Sequence, residues 1–435
     1  MYKELVKKIK SKKVKISIIG LGYVGLPLAL RFIKSGVDVF GIDTDQHKIL
    51  KLQSSSSYIS SISNDQLKYF KKNKNNISSS FQDIEKVDVI IICLPTPLKR
   101  NKNPDMSYVF NCAKKIKKFL RAGQVVILES TVYPGATLDM LSFLGIKKKN
   151  LGSKIFVVYS PERENPGSKS FNYRLTPKIV SGYSKNCTKI GDMIYALFVK
   201  KRVLMKSISE AEATKLLENL YRSVNIGLVN EFKIICDKMN LNVFNIIEAA
   251  STKNFGFKKF LPGPGLGGHC IPIDPYYLYW ASAKSGYLPK FIKTSGEINN
   301  NMPQWVVDKI IQTFKNKKIT YKNKKMLMIG VAYKKNVDDD RETPAYEIIK
   351  KLKKENIEID YYDPFIPKLK SGRKYHYIKK SIKFNSKNIR NYVASIIVTD
   401  HEKIDYKMLL MSSKLIFDSR GVYKDIENND KIIKC

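Results

Sequence analysis

The stretch Lys15-Ile16-Ser17-Ile18-Ile19-Gly20-Leu21-Gly22-Tyr23-Val24-Gly25 leaves the chain few ways to fold. An apolar strand runs without a break into G-x-G-x-x-G. Leu26 to Ser35 then shows helical apolar spacing and stops at Gly36. Val37 to Ile42 reads as a second strand and closes on Asp43. Strand, glycine turn, helix and strand, with an acid about 20 residues on, form the βαβ unit of a dinucleotide-binding fold. Gly20 makes the tight turn, Gly22 lets the backbone approach a pyrophosphate, and Gly25 lets the helix pack on the strand. Tyr23 and Val24 complete the fingerprint as cofactor-binding positions. Asp43 is placed to accept from ribose hydroxyls, and its charge repels a 2′-phosphate, so NAD is the expected cofactor rather than NADP.

Further apolar runs extend the sheet. Val87–Leu94 leads into Pro95-Thr96-Pro97, Val125–Glu129 into Ser130-Thr131, and Ile155–Tyr159 into Ser160-Pro161-Glu162-Arg163. Each loop falls at a strand's C-terminal end, where open parallel sheets place ligands. Thr96, Thr131 and Glu162 are therefore candidates to line one cleft. Ser54–Ser63 and Lys71–Ser80 read as polar, exposed loops.

At 435 residues the chain is expected to hold two or three domains. No apolar run reaches membrane-spanning length, and the Lys-rich start lacks the apolar core of a secretory signal. The net charge of +39 raises the question of nucleic acid. The excess is almost all Lys, spread along the chain, with no nucleic-acid-binding motif, so it reads as biased composition rather than a nucleic-acid patch; a small polyanionic ligand such as a nucleotide would also benefit from the positive potential. The six cysteines are scattered without a C-x-x-C pair, and the four histidines form no ligand cluster. Reduced thiols in a cytoplasm, and no metal, are expected.

Mid-chain, Ile208 opens an amphipathic pattern reaching about Met239, with Ser209 and Glu212 at capping-box spacing. Lys215, Asn219 and Ser223 recur every fourth residue, a polar stripe that is either a solvated face or the wall of a site. A helix this long is also a plausible dimer element. Gly263-Pro264-Gly265-Leu266-Gly267-Gly268-His269-Cys270-Ile271-Pro272-Ile273-Asp274-Pro275 follows, too rich in Gly and Pro for a regular element. A helix starting at Asp274-Pro275, with Asp274 as N-cap, would put Cys270 near its positive end, where a thiol is acidified. Taken alone, that cysteine is either a nucleophile or buried structural packing.

The last third repeats the βαβ rhythm: Lys325–Ile329, then Gly330 and Tyr333-Lys334, a helix over Ala345–Lys354, and a strand Ile357–Tyr362 ending at Asp363. Ala394–Thr399 and Lys414–Phe417 supply more strands, the latter leading to Arg420. The glycine fingerprint is incomplete, which suggests a Rossmann-like unit for something other than a whole dinucleotide.

Two Rossmann-like halves flanking a long helix and a G-x-G-x-G-G-x-C-x-x-x-D loop resemble the UDP-glucose/GDP-mannose dehydrogenase family over essentially the whole chain. Ser160-Pro161-Glu162-Arg163 with Pro166-Gly167, and the loop Pro262–Pro272, look most like the UDP-N-acetylhexosamine 6-dehydrogenases of bacterial surface-polysaccharide synthesis. UDP-glucose members, the alternative within the family, more often carry Phe-Leu after that Pro-Glu and a further Glu where this chain has Pro166. The resemblance implies an α/β fold with an NAD-binding domain over 1–205, a central helical domain with a dimer interface over 206–305, and a UDP-sugar-binding domain over 306–435. It implies oxidation of the C6 alcohol of UDP-GlcNAc or UDP-GalNAc to a carboxylate with two NAD⁺, through a thiohemiacetal and a thioester on Cys270. Lys215 would steady the oxyanion, with Asn219 beside it. Asp274 would act as or orient the base, and Thr131 and Glu162 would place a water. Phe260, Gly263, Gly265, Gly267, Tyr333, Lys334 and Arg420 would contact the sugar nucleotide, as would Glu162, Arg163, Lys215 and Asn219. Arg341 would reach the NAD side.

Overall fold

The computed structural model of the protein describes all residues except 60, 164–173, 269–270, 370–376, 378 and 427–428. The chain divides into two compact units, Met1–Glu218 with Tyr276–Tyr287, and Asn219–Pro275 with Leu288–Cys435.

The first unit is built on eight strands: β1 Lys15–Ile19, β2 Asp38–Ile42, β3 Ile77–Ser78, β4 Val89–Ile92, β5 Val125–Leu128, β6 Phe156–Tyr159, β7 Lys178–Gly182 and β8 Arg202–Met205. Their order is β3-β2-β1-β4-β5-β6-β7-β8. All pairs are parallel except β6 with β7. β4 is Val-Ile-Ile-Ile and β5 is Val-Val-Ile-Leu, every residue fully buried. Such runs are apolar on both faces because helices cover both sides of the sheet. The order of the strands reverses between β1 and β4, which pair parallel, and this switch point of a doubly wound sheet is where ligands lie. The fingerprint turn leaves β1 there and the Thr96 loop leaves β4.

The second unit carries β9 Lys325–Ile329, β10 Glu358–Tyr362, β11 Ala394–Ile397, β12 Ile416–Asp418 and β13 Ile432–Lys434, all parallel, in the order β10-β9-β11-β12-β13. The two sheets use their acids differently. In the first unit Asp43, after β2, accepts from Leu21 N at 2.8 Å and Asp45 N at 2.9 Å, with Lys48 Nζ 3.3 Å away. In the second, Asp363, after β10, accepts from the backbone N–H of Val331, Ala332, Phe365 and Ile366 and meets His401 Nε2 at 3.0 Å, both side chains fully enclosed. The backbone donors and His401 hold its carboxyl below the usual carboxylate range against its burial. An acid so occupied closes the turn and is not offered to a ribose.

The foreseen strands and the helices Gly25–Lys34, Ile208–Lys238 and Pro344–Lys354 are present within a few residues. Several expectations are corrected. Lys71–Ser80 is not simply a loop: it holds β3, which pairs with β2. Ile59 and Ile62 in the Ser54–Ser63 stretch are buried in the core. Ser209 and Glu212 form no capping box. Ser207 precedes the helix and accepts from Glu210 N, while Glu212 turns to another element. The helix Asp274–Lys284 starts at Asp274 itself. A second long helix, Lys290–Asn316, had no clear mark in the sequence, because Pro303 and the run Asn299-Asn300-Asn301 interrupt its pattern.

Candidate functional site

In the first unit the fingerprint glycines differ in what surrounds them. Gly20 has φ +92°, and a Cβ there would lie 2.5 Å from Cys93 O. At Gly25 a Cβ would lie 1.9 Å from Gly20 O, so helix and turn touch only because no side chain intervenes. Nothing lies within 4 Å of a Cβ built on Gly22. Turn and helix are therefore packed shut at two glycines and open at the third, as a pyrophosphate cradle requires, with Tyr23, Val24 and the helix start beside it. With Asp43 at the end of β2, these residues fit NAD.

The loops after β4, β5 and β6 are tied together. Thr96 Oγ1 donates to Thr131 O at 2.8 Å. Ser130 Oγ donates to Leu94 O at 2.7 Å and accepts from Leu94 N at 3.0 Å. Glu162 N reaches Glu129 O at 3.4 Å. Lys215 Nζ lies 3.6 Å from Glu162 Oε2, both side chains largely buried. An opposite charge at that distance offsets part of the cost of burying the ammonium. Arg163 donates through Nη1 to Pro177 O at 2.7 Å and pairs with Glu218. Val24, Leu28, Glu129, Glu162, Arg163 and Lys178 line one cleft with neighbouring residues, so the fingerprint helix and the Glu162 loop share a cavity.

Beneath that loop lies a buried group with no mark in the sequence. Lys178 Nζ is 2.7 Å from Glu129 Oε2 and donates to Pro161 O at 2.8 Å. Tyr195 OH donates to Glu129 Oε1 at 2.6 Å. Burial, then Glu129, pushes the Tyr195 phenol up.

In the second unit the glycine loop is moulded on its neighbours. Gly263 N donates to Asn230 Oδ1 at 2.9 Å, and a Cβ on Gly263 would lie 2.5 Å from Arg420 Nη1. Arg420 is itself aimed by Nε donating to Val398 O at 2.7 Å. Gly265 has φ +133° and lies over Pro303 and Pro344. A Cβ on Gly267 would meet Tyr333 Cβ at 2.8 Å, and Gly268 N donates to Arg341 O at 3.0 Å. Arg341 grips Asp339 through Nε and Nη2. The Lys334 ammonium is pushed below its usual range by burial and by the neighbouring Arg222 charge. Phe260 stands edge-on to Tyr221. Asn219 Nδ2 donates to Asp274 Oδ2 at 2.5 Å, joining the long helix to the helix that follows the glycine loop. His269 and Cys270 lie outside the described residues.

The polar stripe of the long helix is not a solvated face: Lys215, Asn219 and Ser223 are all buried. It also runs further than its first three members. Gly227 lies against Ser295, and Asn230 donates through Nδ2 to Asn299 Oδ1 at 2.9 Å. One more four-residue step past Ser223 reaches Gly227, and Asn230 lies three residues beyond it on the same face. Lys233, one turn further, is buried, donates to Ser419 O at 3.1 Å, and is pushed down to about 8 by burial.

Three domain models of the UDP-glucose/GDP-mannose dehydrogenase family match this chain: the NAD binding domain over residues 14–199, the central domain over 209–301 and the UDP binding domain over 327–425. The chain is 34% identical to a UDP-N-acetyl-D-glucosamine 6-dehydrogenase of Pseudomonas aeruginosa, over 82% of this chain and 84% of that protein. It is 36% identical to a UDP-N-acetyl-D-mannosamine dehydrogenase of Methanocaldococcus jannaschii, over 81% and 79%. Among solved structures, the UDP-N-acetyl-mannosamine dehydrogenase Cap5O of Staphylococcus aureus superposes with a TM-score of 0.79 at 32% identity, over 96% of this chain and 97% of that one.

Proposed function

This chain belongs to the UDP-glucose/GDP-mannose dehydrogenase family of NAD-dependent nucleotide-sugar oxidoreductases, and on that premise we propose that it oxidises the C6 alcohol of a UDP-N-acetylhexosamine, UDP-GlcNAc or UDP-GalNAc, to the uronic acid. The three relatives described above are dehydrogenases of N-acetylated UDP-sugars, which supports the acetamido class. So does Pro161-Glu162-Arg163 in place of the sequence usual in UDP-glucose enzymes. We assign NAD binding to 1–205, the reacting side chains and the dimer contact to the helical segment 206–305, and the uridine nucleotide to 306–435.

The reaction removes four electrons and consumes one water. NAD, when bound along Gly20–Gly25 and Asp43, supplies the hydride acceptor for each of two oxidations. The chain's own residues handle carbon, oxygen and protons. The Cys270 thiolate adds to the C6 aldehyde, forming a carbon–sulfur bond and a thiohemiacetal; the second oxidation leaves a thioester. Water then breaks that carbon–sulfur bond, returning the thiol and releasing the carboxylate. Lys215 places positive charge by the C6 oxygen as it becomes anionic. Asp274 takes the proton from the C6 hydroxyl, its carboxylate aimed by Asn219. Thr131 and Glu162 hold the water. Tyr333, Lys334, Arg420 and the loop Phe260–Gly267 carry the sugar nucleotide, and Arg341 is assigned to NAD.

The observation that carries this reading is the 2.5 Å contact between Asn219 and Asp274, which couples an acid–amide pair to the helix bearing Lys215. The test is a panel of UDP-GlcNAc, UDP-GalNAc, UDP-ManNAc and UDP-glucose with NAD⁺. Two NADH per sugar are expected from an N-acetylated substrate, and Cys270→Ser should slow turnover by about 10³-fold or more. One NADH per sugar with free aldehyde, or an unimpaired Cys270→Ser, would refute the thioester route. Turnover of UDP-glucose alone would refute the substrate class.

A further inference from the structure

Glu212 is fully buried on the long helix, one turn before Lys215. Its Oε1 accepts from Thr137 N at 2.8 Å and Thr137 Oγ1 at 2.6 Å, and its Oε2 accepts from Gly135 N at 2.5 Å. Of these donors, Thr137 N is at the second position of the helix Ala136–Leu144, where an N-cap side chain ordinarily accepts; Gly135 N belongs to the N-cap residue itself and Thr137 Oγ1 is a hydroxyl. The N-cap here is Gly135, with φ +99° and no side chain to offer. A carboxylate from a distant element does the capping instead. Burying it is costly even with these hydrogen bonds, whereas a Ser or Asp at the cap would serve the helix locally at less cost.

What it holds is the loop Thr131–Gly135. One end of that loop is fixed to the loop after β4, by Thr96 on Thr131 O and by Ser130 on Leu94. The other end is fixed to the long helix by Glu212. The next turn of that helix brings Lys215 to within 3.6 Å of Glu162. One carboxylate thus sets the helix that bears the cation against the loop that bears Thr131.

We infer that Glu212 is a positioning residue, fixing Lys215 relative to Thr131 so that the ammonium and the threonine address the same reacting oxygen and water. This rests on the roles given to Lys215 and Thr131 above. The Glu212→Gln side chain would turn an amide N–H₂ toward Gly135 N–H or Thr137, donor against donor, without changing its size.

The test has two readouts. In the full-length enzyme Glu212→Gln should lower kcat about 10- to 100-fold, with KM for the UDP-sugar moved less than about threefold, as misplacement by a fraction of an ångström would do. Leu144→Ala, in the same helix but away from the cap, is the stability control, expected to keep kcat within about twofold at temperatures where it is folded. The second readout needs no activity. Trp280 packs on Tyr133 of the held loop at 4.7 Å between ring centroids. In a Trp305→Phe background it is the only tryptophan, and Glu212→Gln should make it about twofold more open to acrylamide quenching. Unchanged quenching, or a kcat loss no larger than that of Leu144→Ala, would overturn the positioning role. If Glu212→Gln fails to fold, Thr137→Val removes one of the three donors and should show both effects in weaker form; wild-type values for both would overturn the claim. Should the wild type oxidise no UDP-sugar, the assigned function fails, while the quenching result still decides whether Glu212 holds the loop.

Discussion

Gly22 and Gly25, three residues apart at the turn into the helix Gly25–Lys34, do different jobs, and substitution separates them. Gly25→Ala would drive a methyl to 1.9 Å from Gly20 O, so the turn must move. A stability loss of about 3 kcal/mol or more is expected, read as a fall in the urea midpoint. Gly22→Ala meets nothing within 4 Å. Stability should change by less than about 0.5 kcal/mol, while KM for NAD⁺ rises about tenfold or more, because the methyl fills the space the pyrophosphate needs. Equal effects of the two variants on stability would sink this distinction. Glu212 gives a pH prediction. Burial lifts its carboxyl to about 7, while Thr137 and Gly135 pull the other way. The folded chain therefore holds this proton to higher pH than the unfolded chain, and stability is lost as pH rises from about 4.5 toward 7. The loss attributable to this one group is at most about 3 kcal/mol. Glu212→Gln should flatten that part of the profile, measured as the wild-type-minus-variant difference in unfolding free energy at pH 5 and pH 8. A difference that does not change between these pH values would refute the assignment.

At the scale of elements, the helix Ile208–Lys238 earns its length by what its polar stripe ties down. Asn230 is the clearest case: its Oδ1 takes Gly263 N–H and its Nδ2 gives to Asn299. Asn230→Leu would leave both groups buried without that partner. It should cost about 2 to 4 kcal/mol in urea unfolding and weaken binding of the UDP-sugar by freeing the glycine loop. An unchanged midpoint would show that the loop is held by other contacts. The glycine loop also explains why the second Rossmann-like half lacks a full fingerprint. Gly267 and Gly268 already occupy the face of Tyr333, and Asp363 is consumed by four backbone N–H groups and His401.

For the whole molecule, the long helix leaves one face bare. Tyr221, Leu228 and Ile235 follow each other at heptad spacing and are 50%, 60% and 46% exposed in the single chain. An apolar stripe of this kind on a helix is expected to be covered by a second copy. Leu228→Glu with Ile235→Lys should shift sedimentation from dimer to monomer; a monomeric wild type would refute the homodimer. The charge of +39 belongs to this scale too. Spread over the chain without a groove-reading element, it predicts only weak DNA binding that vanishes steeply with salt, checked by titration at 50 and 200 mM salt. No helix among the described residues is long and apolar enough to cross a membrane.

The sequence by itself determined the dinucleotide fold, the order of the chemistry along the chain and the residue types involved. Gly20, Gly22, Gly25 and Asp43 announce themselves because their roles are local: a turn, an open backbone and a strand end a fixed distance apart. Lys215 and Asn219 could be paired because one turn of helix brings every fourth residue to one face. Only the tertiary structure decided the partners of Glu212, Glu129, Lys178 and Asn230. Each is satisfied by a group tens of residues away, and hydrogen bonds of that reach leave no period in the sequence. Ser209 and Glu212 show the difference most plainly. Their spacing fits a capping box, yet the carboxylate caps a helix some 75 residues earlier, whose own N-cap, Gly135, has no side chain to accept from it.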